Sequence, residues 1–251
     1  MLRVEALGVR YGALVALDGV DWEVGRGEIL VIIGPNGAGK SSCYDAATNM
    51  VRRSGRVSLD GRDITAVPPY GLAALGLKRA FQQNAFFSDL TVLDNMAAVL
   101  QRDRGAGFLT SLLTPWRELA QRRMIEAEAA ALLERFGVPR ALHPLRPGGM
   151  PYGSQRMLSI ALAWGTGAKV LLLDEPAAGL GGADMAALRD LLLQLRTEGA
   201  SLVVIEHHMD LIMSVADRIV VLDQGRRLAT GTPRQVQGDP RVLEAYLGRA
   251  A

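Results

Sequence analysis

The stretch Gly34-Pro35-Asn36-Gly37-Ala38-Gly39-Lys40-Ser41-Ser42 limits what this chain can fold into more than any other. It follows the pattern G-x-x-x-x-G-K followed by Ser or Thr, and its surroundings give that pattern a mechanical sense. Ahead of it runs Glu28-Ile29-Leu30-Val31-Ile32-Ile33, β-branched and apolar, which reads as a buried strand. Behind it Cys43-Tyr44-Asp45-Ala46-Ala47-Thr48 can continue as a helix. Strand, glycine loop and helix N-terminus together make a cradle for phosphate. Glycines let backbone N–H groups turn inward without a Cβ in the way, and the helix dipole adds a favourable potential for an anion. In such a cradle Lys40 reaches the β- and γ-phosphates of a nucleoside triphosphate, and the Ser41 hydroxyl holds Mg²⁺. The pattern alone goes no further, because kinases, GTPases, helicases and transport ATPases share it.

Two more strands are expected to end in polar groups. Lys169-Val170-Leu171-Leu172-Leu173-Asp174-Glu175 is a buried run closed by two carboxylates. In an open parallel sheet, ligands sit at the carboxyl ends of strands. There Asp174 is placed to hold Mg²⁺, commonly through water, and Glu175 to orient or deprotonate an attacking water. Ser201-Leu202-Val203-Val204-Ile205-Glu206 is a third such run, followed by His207. A His pair without nearby Cys or Asp is a poor metal set; an imidazole bonding a γ-phosphate oxygen fits the position better.

The remaining chain reads as connections and flanking layers. Strands are expected over residues 2–9, 15–24 and 56–59, with Tyr11 between the first two. Pro68-Pro69-Tyr70 opens a short helix, and Leu77-Lys78-Arg79-Ala80-Phe81 leads to Gln82. A helix begins behind Thr91 as N-cap. Residues 101–116 read as irregular, and residues 117–136, 155–166 and 183–198 as helices. Arg218 to Gly231 reads as a hairpin, and short helices close the chain.

With 251 residues and 49% apolar composition there is material for one large α/β domain with a subdomain. Net charge is +2, which gives no strong electrostatic bias toward nucleic acid or anionic lipid. Lysine occurs at Lys40, Lys78 and Lys169, so a lysine in the phosphate loop stands out against arginine elsewhere. The single cysteine, Cys43, rules out an internal disulfide and suits a reducing compartment. The opening residues do not read as a signal peptide. No apolar run reaches the ~20 residues of a membrane helix, so any membrane role is expected to come through a partner.

In this order the motifs resemble those of the ATPase subunits of ABC transporters over essentially the whole chain. The series is an aromatic at Tyr11, the loop Gly34 to Ser42, Gln82 after Arg-Ala-Phe, a signature region, Leu171 to Pro176, and His207. Asp174-Glu175-Pro176-Ala177-Ala178-Gly179-Leu180, Ile205-Glu206-His207, Gly231-Thr232-Pro233 and Glu244-Ala245-Tyr246-Leu247-Gly248 resemble the ATPases of branched-chain amino acid importers. The segment near 101–123 resembles the insertion of the subunit type with the longer helical region.

The resemblance implies an α/β P-loop NTPase with a RecA-like parallel core, an antiparallel β subdomain and a helical subdomain near 84–165, all one nucleotide-binding domain over 1–251. It implies ATP and Mg²⁺ as cofactors, with adenine stacked on Tyr11. The phosphates would lie on Gly34, Pro35, Asn36, Gly37, Ala38, Gly39, Lys40, Ser41 and Ser42. Mg²⁺ would be held by Ser41 and Asp174 and sensed by Gln82, which would also sense the lytic water and couple to the membrane subunit. Glu175 would be the general base, and His207 would contact the γ-phosphate. It further implies a second ATPase subunit, two transmembrane permeases, an indirect link to a periplasmic binding protein, no nucleic acid, and a place on the cytoplasmic face of the inner membrane.

One region departs from the family. The signature Leu-Ser-Gly-Gly-Gln aligns with Met150-Pro151-Tyr152-Gly153-Ser154. Pro151 replaces the serine that donates to a γ-phosphate and brings no N–H of its own. Ser154 replaces the glutamine, and Gly181 stands where Asp or Asn is usual. Pro151 and Gly153 would serve the partner's nucleotide, so an asymmetric heterodimer is expected. Urea or amide uptake, lipopolysaccharide export, a soluble ABC ATPase and an ATP-binding regulator remain as alternatives.

Overall fold

Alternating apolar residues in the first sixty positions build an antiparallel sheet, and β-branched runs further on build a parallel one. The computed structural model describes residues 1–81, 86–103 and 115–247. In chain order the strands and helices begin with β1 (Leu2–Tyr11), β2 (Leu14–Val24), β3 (Ile29–Ile33), α1 (Lys40–Ala47), β4 (Ser54–Leu59) and β5 (Arg62–Asp63). Next come α2 (Pro69–Leu72), β6 (Leu77–Ala80), α3 (Val92–Asp103), α4 (Pro115–Arg135) and α5 (Tyr152–Trp164). The remainder are β7 (Val170–Asp174), α6 (Gly182–Thr197), β8 (Ser201–Ile205), α7 (Met209–Val215), β9 (Arg218–Asp223), β10 (Arg226–Gly231), α8 (Pro233–Gln237) and α9 (Pro240–Leu247).

Among the described residues one sheet runs β2-β1-β4-β5 and is antiparallel throughout. The other runs β10-β9-β3-β8-β7-β6. Its strands β9, β3, β8 and β7 are parallel, and the β9–β10 hairpin adds an antiparallel edge. The central strands carry no apolar/polar alternation because both faces are covered. All five residues of β3 and of β8 are buried. The register sets Asp174 of β7 opposite Ile205 of β8, so the polar ends of these strands lie side by side.

The chain divides into two compact units. The first comprises Met1–Arg79, Lys169–Ala178 and Leu188–Ala251. Its core joins Leu2, Val4 and Leu7 of β1 to Leu30, Leu172, Val203 and Ile205 of the parallel sheet and to Cys43, Tyr44 and Ala47 of α1. Full burial of such side chains is worth about 1.5–3 kcal/mol each relative to exposure. Two polar contacts pin α1 into this core. The Trp22 Nε1–H donates to Cys43 Sγ at 3.0 Å, and burial pushes that thiol up to about 12. The Tyr44 hydroxyl lies on the carbonyl oxygens of Leu173 (3.1 Å) and Val203, in β7 and β8.

The second unit comprises Ala80–Ala168 and Gly179–Ala187. Thr91 caps α3 as the sequence predicts, its hydroxyl accepting the Asp94 N–H at 3.1 Å. Buried Asn95 ties the preceding loop to the helix, accepting the Phe87 N–H at 2.9 Å and donating to the Thr91 carbonyl at 2.9 Å. Phe136 and Trp164 pack at 6.0 Å between centroids, and the Arg135 guanidinium lies over both rings.

Two local expectations change. Residues 101–103 continue α3 rather than being irregular. The helix expected from 155 starts at Tyr152, because Pro151 sits outside the helix in extended geometry (φ −54°, ψ 145°), where a missing N–H costs nothing. A further helix, Met209–Val215, too short to show a hydrophobic period, follows the His pair directly. Among the described residues no helix is long and apolar enough to cross a membrane.

Candidate functional site

The phosphate loop leaves β3 at Gly34 and enters α1 at Lys40. Two of its glycines are required by space as well as by dihedral angle. A Cβ on Gly34 would collide with the Leu222 carbonyl oxygen, and one on Gly39 (φ 97°) would lie 2.6 Å from the Ala16 carbonyl oxygen. Gly39 is the N-cap of α1, and no side chain caps that helix end. The Lys40 ammonium folds over the loop, donating to the carbonyls of Gly34 (2.7 Å) and Pro35 (3.1 Å). Burial lowers its pKa, and the carboxylates of Glu175 and Asp174 act against that shift. A helix N-terminus, turned-in backbone and a lysine held at its mouth fit a polyphosphate by charge and by donor chemistry.

Asp174 ends β7 and is largely buried, with its side chain 11% exposed. Its neighbour is an arginine that the sequence reading treated only as a lead-in. Arg79 donates to Asp45 Oδ1 at 2.6 Å and to Asp174 Oδ2 at 3.3 Å. Burial raises the Asp174 pKa, while Arg79 pulls it down and Glu175 and Asp45 push it up again. An acidic oxygen set next to a phosphate cradle fits a hard divalent cation, for which Asp174 and the Ser41 hydroxyl are the matching donors.

Glu175 is held in the left-handed region at φ 47°, a geometry that costs a non-glycine residue about 1–3 kcal/mol. Two main-chain bonds keep it there. Its N–H donates to the Ile205 carbonyl at 3.0 Å, and its own carbonyl accepts the Ala178 N–H at 3.1 Å. Its side chain is part-exposed, with Oε1 3.9 Å from Nδ1 of the exposed His207.

Glu206 is 1% exposed. Its Oε1 accepts the Ala177 N–H at 2.8 Å. Its Oε2 accepts the N–H groups of His207 (2.9 Å) and His208 (3.2 Å). His208 Nδ1 lies 2.9 Å from the same oxygen, which places its ring hydrogen on Nδ1. The nearest ligand-type atoms of Glu206, His207 and His208 all lie within 4.8 Å of one another. The carboxylate oxygens are already committed to N–H donors, so the trio is no better a metal set than the sequence implied.

Two tyrosines flank the loop. Tyr11 ends β1 and is 47% exposed. Its hairpin lies against the phosphate loop, for Asp18 N–H donates to the Gly225 carbonyl and Gly225 N–H to the Ala38 carbonyl. An exposed ring on that hairpin is free to stack. Tyr246 of α9 was read only as part of a family-like ending. Burial raises its pKa, and the nearby Gly34 main chain draws it back.

In the second unit Pro151 and Tyr152 are exposed at the start of α5, and Gly153 is buried. A Cβ on Gly153 would overlap the Asp184 carboxylate. Gly179 (φ 75°) leaves room for the Tyr152 ring, which a Cβ would meet at 2.9 Å. Gln155 closes the turn, donating its N–H to the Pro151 carbonyl and its amide to the Met150 carbonyl, each at 3.0 Å. Gln82 lies outside the described residues.

Comparison with known proteins agrees with this arrangement. The family described as "ABC transporter" matches residues 17–178, and the family described as "Branched-chain amino acid ATP-binding cassette transporter" matches residues 226–251. The chain is 37% identical over 253 residues to the high-affinity branched-chain amino acid transport ATP-binding protein BraF of Pseudomonas aeruginosa, covering 100% of this chain and 98% of that one. It is 36% identical over 253 residues to LivG of Escherichia coli, a protein of the same description, again covering 100% and 98%. A crystal structure of an ATP-binding cassette of an ABC transporter in its ADP conformation superposes with a TM-score of 0.83 at 30% identity, covering 99% of each chain. The chain therefore belongs to the ABC transporter family and is one of its ATP-binding cassettes, with the P-loop NTPase fold.

Proposed function

We propose that this chain hydrolyses ATP to drive uptake of branched-chain or related amino acids through separate permease subunits. The match of residues 226–251 to the branched-chain amino acid family carries the cargo class. The chain acts as one nucleotide-binding domain with a helical subdomain near 84–165, on the cytoplasmic face of the membrane.

Tyr11 stacks on adenine. The loop from Gly34 to Ser42 wraps the phosphates, and Lys40 moves from the Gly34 and Pro35 carbonyls to the β- and γ-phosphate oxygens. Ser41 and Asp174 hold Mg²⁺, which neutralises developing phosphate charge when bound. Glu175 takes the proton of the attacking water at its carboxylate, a contribution of roughly 10²–10⁴-fold. His207 donates to a γ-phosphate oxygen, and Gln82 reports the state of the site to the permease.

The working assembly is a heterodimer. The loop of this chain pairs with a partner's complete signature, while Pro151 leaves the reciprocal site weak. Loss of one charge-assisted hydrogen bond costs about 1.5–3 kcal/mol, or roughly ten- to a hundredfold in rate.

The test is ATP hydrolysis by the purified chain and by Glu175→Gln, each with and without the co-encoded ATPase partner. Turnover that needs the partner and falls by about 10²-fold or more in Glu175→Gln is the expected result. Turnover that survives Glu175→Gln in the pair would place the chemistry in the partner and make this chain the regulatory half.

A further inference from the structure

Glu206 is a fully buried acid that neither binds nucleotide nor titrates in the proposed chemistry, yet four donors converge on it. Those donors come from two loops. Ala177 N–H lies two residues beyond Glu175, and His207 N–H, His208 N–H and His208 Nδ1 belong to the loop that presents His207. Glu175 is itself bonded by its N–H to the carbonyl of Ile205, the residue before Glu206. The end of β8 thus grips the Glu175 turn on both sides. Ile205 takes the N–H at the strained residue, and Glu206 takes the N–H just past it.

A glutamate with φ 47° stays left-handed only where its surroundings over-determine it. Release of the Ala177 N–H would let the turn relax toward right-handed geometry and swing the Glu175 carboxylate away. Loss of the carboxylate would also loosen His207, whose side chain is exposed and packs on the His208 ring at 4.3 Å between centroids. A carboxylate suits this post because it accepts on both oxygens and donates nowhere. An amide in its place would turn an NH₂ toward at least one of these N–H groups.

We propose that Glu206 is a positioning residue that sets the distance and aim of Glu175 and His207 together, by bonding the main chain of both loops. The proposal rests on the reading of Glu175 as the general base. It assigns Glu206 no contact with nucleotide, so its loss should slow turnover and leave ATP binding in place.

The experiment compares wild type, Glu206→Gln, Glu206→Asp and Glu175→Gln in the complex with the ATPase partner. It measures kcat for ATP and the Kd of a fluorescent ATP analogue, with thermal melts to establish folding. Glu206→Gln should lower kcat roughly 10- to 100-fold, as misplacement of a catalytic group by about an ångström does, with Kd within about threefold of wild type. Glu206→Asp keeps the charge and should recover part of the loss. Should Glu206→Gln fail to melt cooperatively, Glu206→Asp alone is judged on the same split. Wild-type kcat in the folded Glu206 variant, or a Kd that rises as much as kcat falls, overturns the proposal. If Glu175→Gln is inactive while Glu206→Gln is not, the positioning role alone is wrong. If Glu175→Gln turns over normally, both assignments fall.

Discussion

Two helices in this molecule start behind a glycine- or proline-bearing turn, and a side chain of opposite charge lies beside each start. α1 begins at Lys40 behind Gly39, with no side chain capping it and an ammonium folded across its mouth. α5 begins at Tyr152 behind Pro151, and its first-turn residue Gly153 lies against the Asp184 carboxylate. Both helices carry the same dipole, about half a positive charge at the N-terminus. What differs is the company. At α1 a cation adds to the dipole, and the combined field calls for an outside anion. At α5 the exposed Asp184 carboxylate lies beside the first turn. A phosphate brought to α5 would meet that carboxylate and find no donor on Pro151. A helix N-terminus is thus an anion site only when the chain leaves its charge unanswered.

The largest test of this contrast is Lys40→Ala. It removes the cation that distinguishes α1 and should weaken ATP binding by about 10²-fold or more, since it deletes at least two charge-assisted bonds of about 1.5–3 kcal/mol each. Calorimetric titration with ATP reads the loss; affinity within a few fold of wild type would mean that the dipole and backbone suffice. Next is Pro151→Ser, made in a Glu175→Gln background so that turnover comes from the partner's loop. Restoring a donor at α5 should raise that rate roughly ten- to a hundredfold. A flat rate would show that Asp184, and not the missing donor, limits the site.

The smallest effect concerns packing. Gly153→Ala sets a methyl against the Asp184 carboxylate and should cost about 1–3 kcal/mol, a fall of a few degrees in melting temperature. Asp184→Ala in the same chain should return most of it, because the obstacle is a side chain. Failure of that rescue would place the strain in the backbone of α5 instead.

The parallel sheet and phosphate loop were legible because their signals are local. Five consecutive apolar residues at 29–33, and runs closing on Asp174 and Glu206, can hardly be anything but buried strands. Thr91 was legible as a cap for the same reason. What could not be read are pairings between distant positions. Arg79 meets Asp45 and Asp174, 34 and 95 residues away, and nothing in Leu77 to Phe81 distinguishes it from a surface arginine. Glu206 read as the polar tail of a strand, and its burial becomes visible only once Ala177 and the His pair converge on it. Asp184 is similar: its role depends on where Gly153 lies, not on its own neighbours in sequence.

Cys43 has a practical meaning for the question of what meets α5. It is the chain's one cysteine, fully buried beneath Trp22, with a thiol that ionises only near 12. Toward a maleimide at neutral pH the folded chain behaves as if it had no thiol at all, since the thiolate is the reactive form. Wild type is therefore a silent background for site-directed labelling. A cysteine placed at exposed Tyr152 would be the single addressable sulfur, and the mass of the species it captures would count the subunits gathered around the nucleotide.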